Sequence, residues 1–214
     1  ILHKGSYSAC FSCIYETVPA FLGTLRDSYE GLVDEFITDD QELYRRINTY
    51  LLQYQKEDIG KLVFHDNEII SLDVKYNIKA GIDACMREKV WLKSGGSIII
   101  QPTEALTVID VNTEKAIKGK CSIQEMFYKV NMEAAEEIAY QLRLRNITGI
   151  IMIDFIDMDD MSHRKSLMQT LDEYVKPDPV KTTVVDMTAL NLVEMTRKKT
   201  RKPVWEQLRD LENI

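Results

Sequence analysis

Three side chains carry the chemistry that this sequence offers. In "EALTVIDVN", residues 104–112, Asp110 interrupts an apolar run and Asn112 follows two residues later. In "GIIMIDFIDMDD", residues 149–160, a second apolar run ends in Asp154, with Asp157, Asp159 and Asp160 beyond it. An isolated carboxylate is costly to bury unless something pairs with it. Strand side chains alternate between faces, so Leu106, Val108, Asp110 and Asn112 share one side. If the two runs are sheet neighbours, two carboxylates and an amide converge at one sheet edge, the usual place for ligands in α/β proteins. Facing carboxylates repel, and an all-oxygen set of two Asp and one Asn suits a hard divalent ion, Mg2+ with retained waters fitting best. Two plainer readings stay open on the residues alone. Asp110 would hydrogen-bond to backbone amides of a turn, or Asp154 would cap the loop after it.

Positioning these groups requires a layered set of elements. The pattern predicts strands over about Val90–Lys93, Ser97–Gln101 and Ala105–Asn112, with "SGG" (Ser94 to Gly96) as the turn between the first two. A long helix is expected from Ile123 to Arg145, opened by a Ser122/Glu125 capping box and striped by Met126, Val130, Ala134, Ile138 and Leu142. The unalternating run Ile150–Ile153 reads as a strand buried on both faces. A helix over Ser162–Val175, a strand in "VKTTVVDM" and an amphipathic tail with Trp205, Leu208 and Leu211 complete this part. Upstream, a helical stretch over Val18–Arg26, a strand in "GLVDEFITDD", a helix capped by Asp39 or Asp40, and a strand in "KLVFHD" suggest a smaller α/β unit over residues 1–73. A helix over Ile78–Arg87 then leads into the larger unit, residues 74–214. The alternation of strands and helices reads as a layered α/β domain.

The composition of the 214 residues, 45% hydrophobic and 29% charged, is that of a globular protein. No run is apolar for the roughly 20 residues that a membrane span needs. No GxxxxGK[ST], HExxH or GxSxG occurs, which removes the usual support for triphosphatase, zincin and hydrolase-elbow chemistry. Cys10-x-x-Cys13 lacks the second ligand pair of a structural zinc site, so reduced thiols are the simpler expectation. The net charge of −7 argues against a generally basic nucleic-acid binder, but "RKKTRK", Arg197 to Lys202, concentrates five cations in six residues.

"WLKSGGSIIIQPTEALTVIDVNTEKAIKGK", then "NMEAAEEIAYQLRLRNITGIIMIDFIDM" and "LVEMTRKK", in this order and spacing, resembles the catalytic core of the ribonuclease E/G family. The resemblance runs most clearly over Lys75–Lys199, and more weakly over Val18–Asn67. It implies an α/β fold: a smaller part of an RNase H-like subdomain over residues 1–73 and a DNase I-like catalytic subdomain over 74–214, with a mixed sheet flanked by helices. It further implies a cytoplasmic, Mg2+-dependent endoribonuclease of RNA processing and decay that cuts single-stranded RNA and leaves 5′-phosphate and 3′-hydroxyl ends. By motif, Asp110 and Asp154 become the metal ligands, and Asn112 the residue orienting water or phosphate. Arg143 and Arg145 of "QLRLR", Arg197 and Lys198 of "MTRKK", and Lys115 and Lys118 after the first aspartate become the candidates for RNA contact. The family's oligonucleotide-binding fold and 5′-end sensor are not recognisable, so the chain is expected to be a fragment. A homo-oligomer is implied by the resemblance, but the family's zinc-link cysteines, which follow "EMTRK", have no counterpart, and Cys10 and Cys13 stand at the other end. The alternative expectation is a fragment that keeps the fold and binds RNA without turnover. A phosphoesterase acting on DNA or small phosphates is the third.

Overall fold

The structure, a computed structural model, describes residues 7, 9, 12, 19–27, 33–67, 69–115 and 122–212. Cys10, Cys13 and Lys118 lie outside the described residues. The chain separates into two compact units, Ile1–Lys79 and Ala80–Ile214, a division six residues beyond the expected one at 73/74.

In the first unit, helix α1 (Ala20–Asp27) precedes strand β1 (Phe36–Thr38), helix α2 (Gln41–Tyr54) and strand β2 (Leu62–Phe64). The strands pair in parallel, which requires a crossover, and α2 supplies it. Asp40 is the residue that caps α2, its carboxylate accepting the Leu43 N–H at 2.8 Å. Leu25, Ile47, Leu51 and Leu62 form the core of this unit. A one-turn helix α3 (Leu72–Tyr76), absent from the sequence expectation, is capped by Ser71. Helix α4 (Ile78–Met86) crosses the division between the units.

The second unit is built on a six-stranded sheet. Its strands are β3 (Lys89–Trp91), β4 (Ser97–Pro102), β5 (Leu106–Asn112), β6 (Gly149–Asp154), β7 (Thr182–Met187) and β8 (Leu192–Arg197), in the spatial order 3-4-5-6-8-7. Only β5 and β6 pair in parallel, and the long helix α5 (Ile123–Leu144) lies between them in the chain. Helix α6 (Met161–Val175) links β6 to β7, and α7 (Val204–Glu212) ends the described chain. The mixed sheet with helices is the α/β class that the sequence specifies.

α5 and α6 pack on one face of the sheet. Ile98, Ile100, Ile109, Val111, Ile151 and Ile153 point toward them and are at most 5% exposed, joined by Val130, Ala134, Ile138 and Leu142 of α5 and Leu167 and Leu171 of α6. Burying each such aliphatic side chain contributes about 1.5–3 kcal/mol, which makes this layer the main hydrophobic stabilisation of the unit. The other face bears Val108, Asp110, Asn112, Ile150, Met152 and Asp154. There Ile150 is 51% and Val108 is 36% exposed. The expectation that β6 is buried on both faces is therefore corrected. Its apolar run hides a normal alternation, because Ile150 and Met152 are apolar residues on the less covered side. "NLVEMTR", expected only to lead into the basic run, is an inner strand, β8, wedged between β6 and β7.

The turn between β3 and β4 shows why two glycines stand together. Gly95 adopts φ of 92°, a left-handed conformation in which Cβ is unfavourable. At Gly96 a Cβ would lie 2.9 Å from the Asn112 carbonyl oxygen and 2.9 Å from Val130 Cγ1. The loop after β5 also docks here, with the Lys115 N–H donating to the Gly95 carbonyl at 3.2 Å. Gly96→Ala is expected to destabilise the second unit by about 1–3 kcal/mol through this overpacking. Denaturant unfolding checks it. A midpoint equal to that of wild type would show that the close approach relaxes freely.

Candidate active site

The parallel ladder between β5 and β6 places Asp110 directly opposite Asp154. Registered residues of neighbouring strands lie about 5 Å apart at Cα and project to the same face. The two carboxylates therefore share the less covered side of the sheet, at the carboxyl ends of both strands. Asn112 lies two residues on, and its Nδ2 donates to Asp110 Oδ2 at 2.7 Å. Of the plainer readings, a backbone turn for Asp110 finds no support, since Asp110 lies inside a paired strand and bonds to Asn112. One of the Asn112 amide hydrogens is committed to Asp110, so Asn112 orients the carboxylate.

Burial raises the Asp154 carboxyl above its ordinary value, and the negative charges of Asp110 and then Asp157 raise it further. This is the electrostatic mark of acids held together. A third His, Cys, Asp or Glu close enough to complete an all-side-chain metal cage is absent among the described residues. Two carboxylates with open positions beside them match the way Mg2+ is held, by one or two protein carboxylates with waters and substrate phosphates filling the rest.

The segment after Asp154 has no regular structure, yet side-chain amides hold it at three points. Asn131, fully buried on α5, donates from Nδ2 to the Ile156 carbonyl at 2.8 Å and accepts the Ile156 N–H at 3.0 Å. Gln124 grips Asp159 in the same two-point way, at 2.8 and 3.2 Å. Asn191 donates from Nδ2 to Asp157 Oδ1 at 3.0 Å and accepts from Arg164 Nη1 at 2.9 Å. Asn131, Gln124, Arg164 and Asn191 escaped the sequence reading. The available signal was Asn131, a polar residue next to Val130 of the apolar stripe of α5.

A sequence profile of the ribonuclease E/G family matches residues 1–200. The chain belongs to the ribonuclease E/G family. It is 38% identical over 180 residues to ribonuclease G of Escherichia coli, covering 84% of this chain and 36% of that protein. Against ribonuclease G of Haemophilus influenzae the identity is 38% over 186 residues, 87% of this chain and 38% of the relative. Ribonuclease E of a Nostoc species is 35% identical over 188 residues, 87% of this chain and 27% of its own length. The chain thus spans little more than a third of the ribonuclease G relatives that it matches.

The cationic candidates of this ribonuclease E/G family member do not gather around the acids. Arg145 is 3% exposed. Its Nε donates to Gln141 Oε1 at 2.6 Å and its Nη1 to the Arg87 carbonyl at 2.7 Å, while burial lowers its pKa. Arg197 is 4% exposed and pairs in two-point fashion with Asp178, at 2.7 and 3.2 Å. Its Nη1 reaches Asn146 Oδ1 and the Ile147 carbonyl. Both guanidiniums face inward, and Arg145 Nη2 is buried without a hydrogen-bond partner, so neither side chain stands at the surface where the expected RNA contact would need it. Arg143 is exposed, but it lines a groove with Glu133, Glu136, Glu137 and Glu173 on the helical side. It stands about 30 Å along α5 from the end that follows β5. Lys198 is exposed next to Arg197, whose ladder partner is Gly149. The basic run therefore leaves the sheet at the opposite end of β6 from Asp154, about 16 Å away. Lys115, exposed in the loop that follows β5, is the one cationic candidate among the described residues that stands on the chain next to Asn112.

The buried Asp178–Arg197 pair has a testable consequence. Burial pushes the Asp178 carboxyl up, but the Arg197 hydrogen bond, the Val180 N–H, Arg197's charge and the Thr182 hydroxyl outweigh it and hold the group below its ordinary 3.8. A depressed acid contributes stability that is present above its unfolded value and lost as pH falls through the folded one. Asp178→Asn, which leaves Arg197 buried without a counter-charge, is expected to cost about 3–5 kcal/mol at pH 7. In denaturant titrations the gap between wild type and variant should narrow below about pH 4. A gap that is flat with pH would rule out the ion pair as its source.

Proposed function

We propose that this chain carries the catalytic core of a Mg2+-dependent endoribonuclease that cuts single-stranded RNA and leaves 5′-phosphate and 3′-hydroxyl ends. A role in cytoplasmic RNA processing and decay belongs to the same reading. The observation that carries it is the register of Asp110 against Asp154 on adjacent parallel strands. Family membership, and relatives named ribonuclease G and ribonuclease E, supply the substrate class.

The donor set fits the ion. Asp110 and Asp154 would hold Mg2+; burial, then the charge of Asp110, raises Asp154, and a divalent cation would relieve the second of these. Bound there, Mg2+ supplies a more acidic water for in-line attack and neutralises charge on the scissile phosphate. The chain's own residues supply the geometry. Asn112 fixes the rotamer of Asp110, leaving one carboxylate oxygen clear of that bond. The inner-face packing of β5 and β6 keeps both carboxylates on the accessible side. Lys115, close in sequence to Asn112, is the candidate for holding an RNA phosphate near the acids.

One observation favours the competing reading of an RNA-binding fragment without turnover: the chain covers only 36% of a ribonuclease G relative. Cleavage of a single-stranded RNA, assayed with Mg2+ and with chelator, separates the two. Wild type should cut only with the metal, and Asp110→Asn or Asp154→Asn should lower the rate by at least about a hundredfold. Salt-sensitive RNA binding without cleavage in wild type would favour the competitor. Equal cleavage by all three proteins would end the metal-site assignment.

A stability measurement accompanies this test. A carboxyl whose folded pKa is raised costs stability once pH exceeds its unfolded value, 3.8, because ionisation is harder in the fold. Asp154→Asn should therefore unfold at higher denaturant than wild type at pH 7 in metal-free buffer, and this advantage should vanish below about pH 4. A variant less stable than wild type at pH 7 would mean that its inactivity reflects misfolding.

A further inference from the structure

Asn191 occupies the turn between β7 and β8 with φ of 64°. Asn is among the few residues that tolerate this left-handed conformation. The turn is closed without its side chain. Thr188 N–H donates to the Leu192 carbonyl at 2.8 Å, and the Asn191 N–H donates to the Thr188 carbonyl at 3.0 Å. Thr188 Oγ1 accepts the N–H groups of Leu190 and Leu192 at 3.2 and 3.1 Å. The Asn191 amide is instead turned toward the segment after Asp154, where it bridges two charged groups that do not bond to each other. It takes a hydrogen bond from Arg164 and gives one to Asp157. Arg164 is itself anchored, its Nε donating to the Met158 carbonyl at 2.6 Å.

The place of this relay is specific. Leu192, the next residue, is the ladder partner of Asp154, so the turn lies beside the strand end that carries the acid. Asp157 is near enough to Asp154 to act on its carboxyl. A guanidinium donating to an amide oxygen polarises the amide and strengthens the bond that its N–H groups make, so Arg164 reinforces the hold on Asp157. A carboxylate pinned in this way keeps its negative charge at a fixed position beside the acid pair. One left without the pin spends its time in solvent rotamers and contributes less.

We propose that Asn191 is a positioning residue: it fixes Asp157 beside the Asp110–Asp154 pair and so raises the affinity of that pair for a divalent cation. The inference rests on the metal reading above and names a residue outside it. Groups that orient the surroundings of metal ligands typically change affinity or activity by 10–100-fold when removed.

The test uses the full chain, with Mn2+ as probe, measured by calorimetry and by electron paramagnetic resonance of free Mn2+. Asn191→Gly keeps the left-handed turn and deletes only the amide. It should weaken Mn2+ binding about tenfold, with the Mg2+ concentration for half-maximal cleavage rising in parallel. Asp157→Asn should give a comparable loss. The double variant should lose little more than either single one, because both act through one contact. Thermal unfolding of Asn191→Gly should match wild type, which a purely structural role would not allow. Wild-type affinity in Asn191→Gly, or losses that add in the double variant, would overturn the proposal while leaving the acid pair in place. Failure of the wild-type chain to bind Mn2+ at all would overturn both.

Discussion

The pairing of β5 with β6 is the constraint on which the rest of this molecule depends. It is the only parallel pair in a sheet that is otherwise antiparallel, and the long helix α5 lies within the connection between its strands. Parallel neighbours need such a crossover, and once it packs on one face the register is no longer free. A slip of one residue would turn Ile109 and Val111, or Ile151 and Ile153, out of the core and put the aspartate of the slipped strand into it. The hydrophobic layer thus enforces a contact that electrostatics alone opposes, with two carboxylates side by side.

What surrounds that contact restrains it without neutralising it. Asn112 braces Asp110 within the same strand, and Gly96 lets the neighbouring turn come against the carbonyl of Asn112. On the other strand, the backbone after Asp154 is held by the amides of Asn131 and Gln124 from α5. Amides suit this task because they both donate and accept, matching a peptide or carboxylate in two places without adding net charge. Arg164 is linked to Asp157 through Asn191.

The sequence revealed the elements that obey one strong period. The capping box of α5 is present as Ser122 and Glu125, and the apolar stripe of that helix is buried from Val130 to Leu142. Side-chain parity placed Asp110 with Asn112, and the second acid-ended run offered Asp154 as a partner if the two strands were neighbours, as the ladder makes them. Two kinds of feature were not legible. β8 reads as a lead-in to a basic tail because Arg197 and the lysines after it obscure Val193 and Met195, which alternate into the core. The contacts of Asn131, Gln124 and Asn191 join residues 25–35 positions apart, and no local period records them. The same limit explains the arginines. Arg145 and Arg197 look like surface cations in a basic context, but each closes a strand or helix end inside the fold, where Gln141 and Asp178 wait for it.

The separation of charge follows from these internal commitments. The two arginines are spent on structure, and Lys202 is bridged to Asp210 at 2.7 Å. Exposed Lys198 and Lys199 remain at the far end of β6 from the acids. An RNA strand attracted to those lysines would still meet uncompensated carboxylates at the other end of the sheet. With anions repelling anions there, close approach of a phosphate to Asp110 and Asp154 requires a counter-charge that the described side chains do not supply beyond Lys115. A divalent cation meets that need with one group. On the proposed reading, the accessible sheet edge carries the negative charge, and a metal held there would be the element that joins acid pair and phosphate.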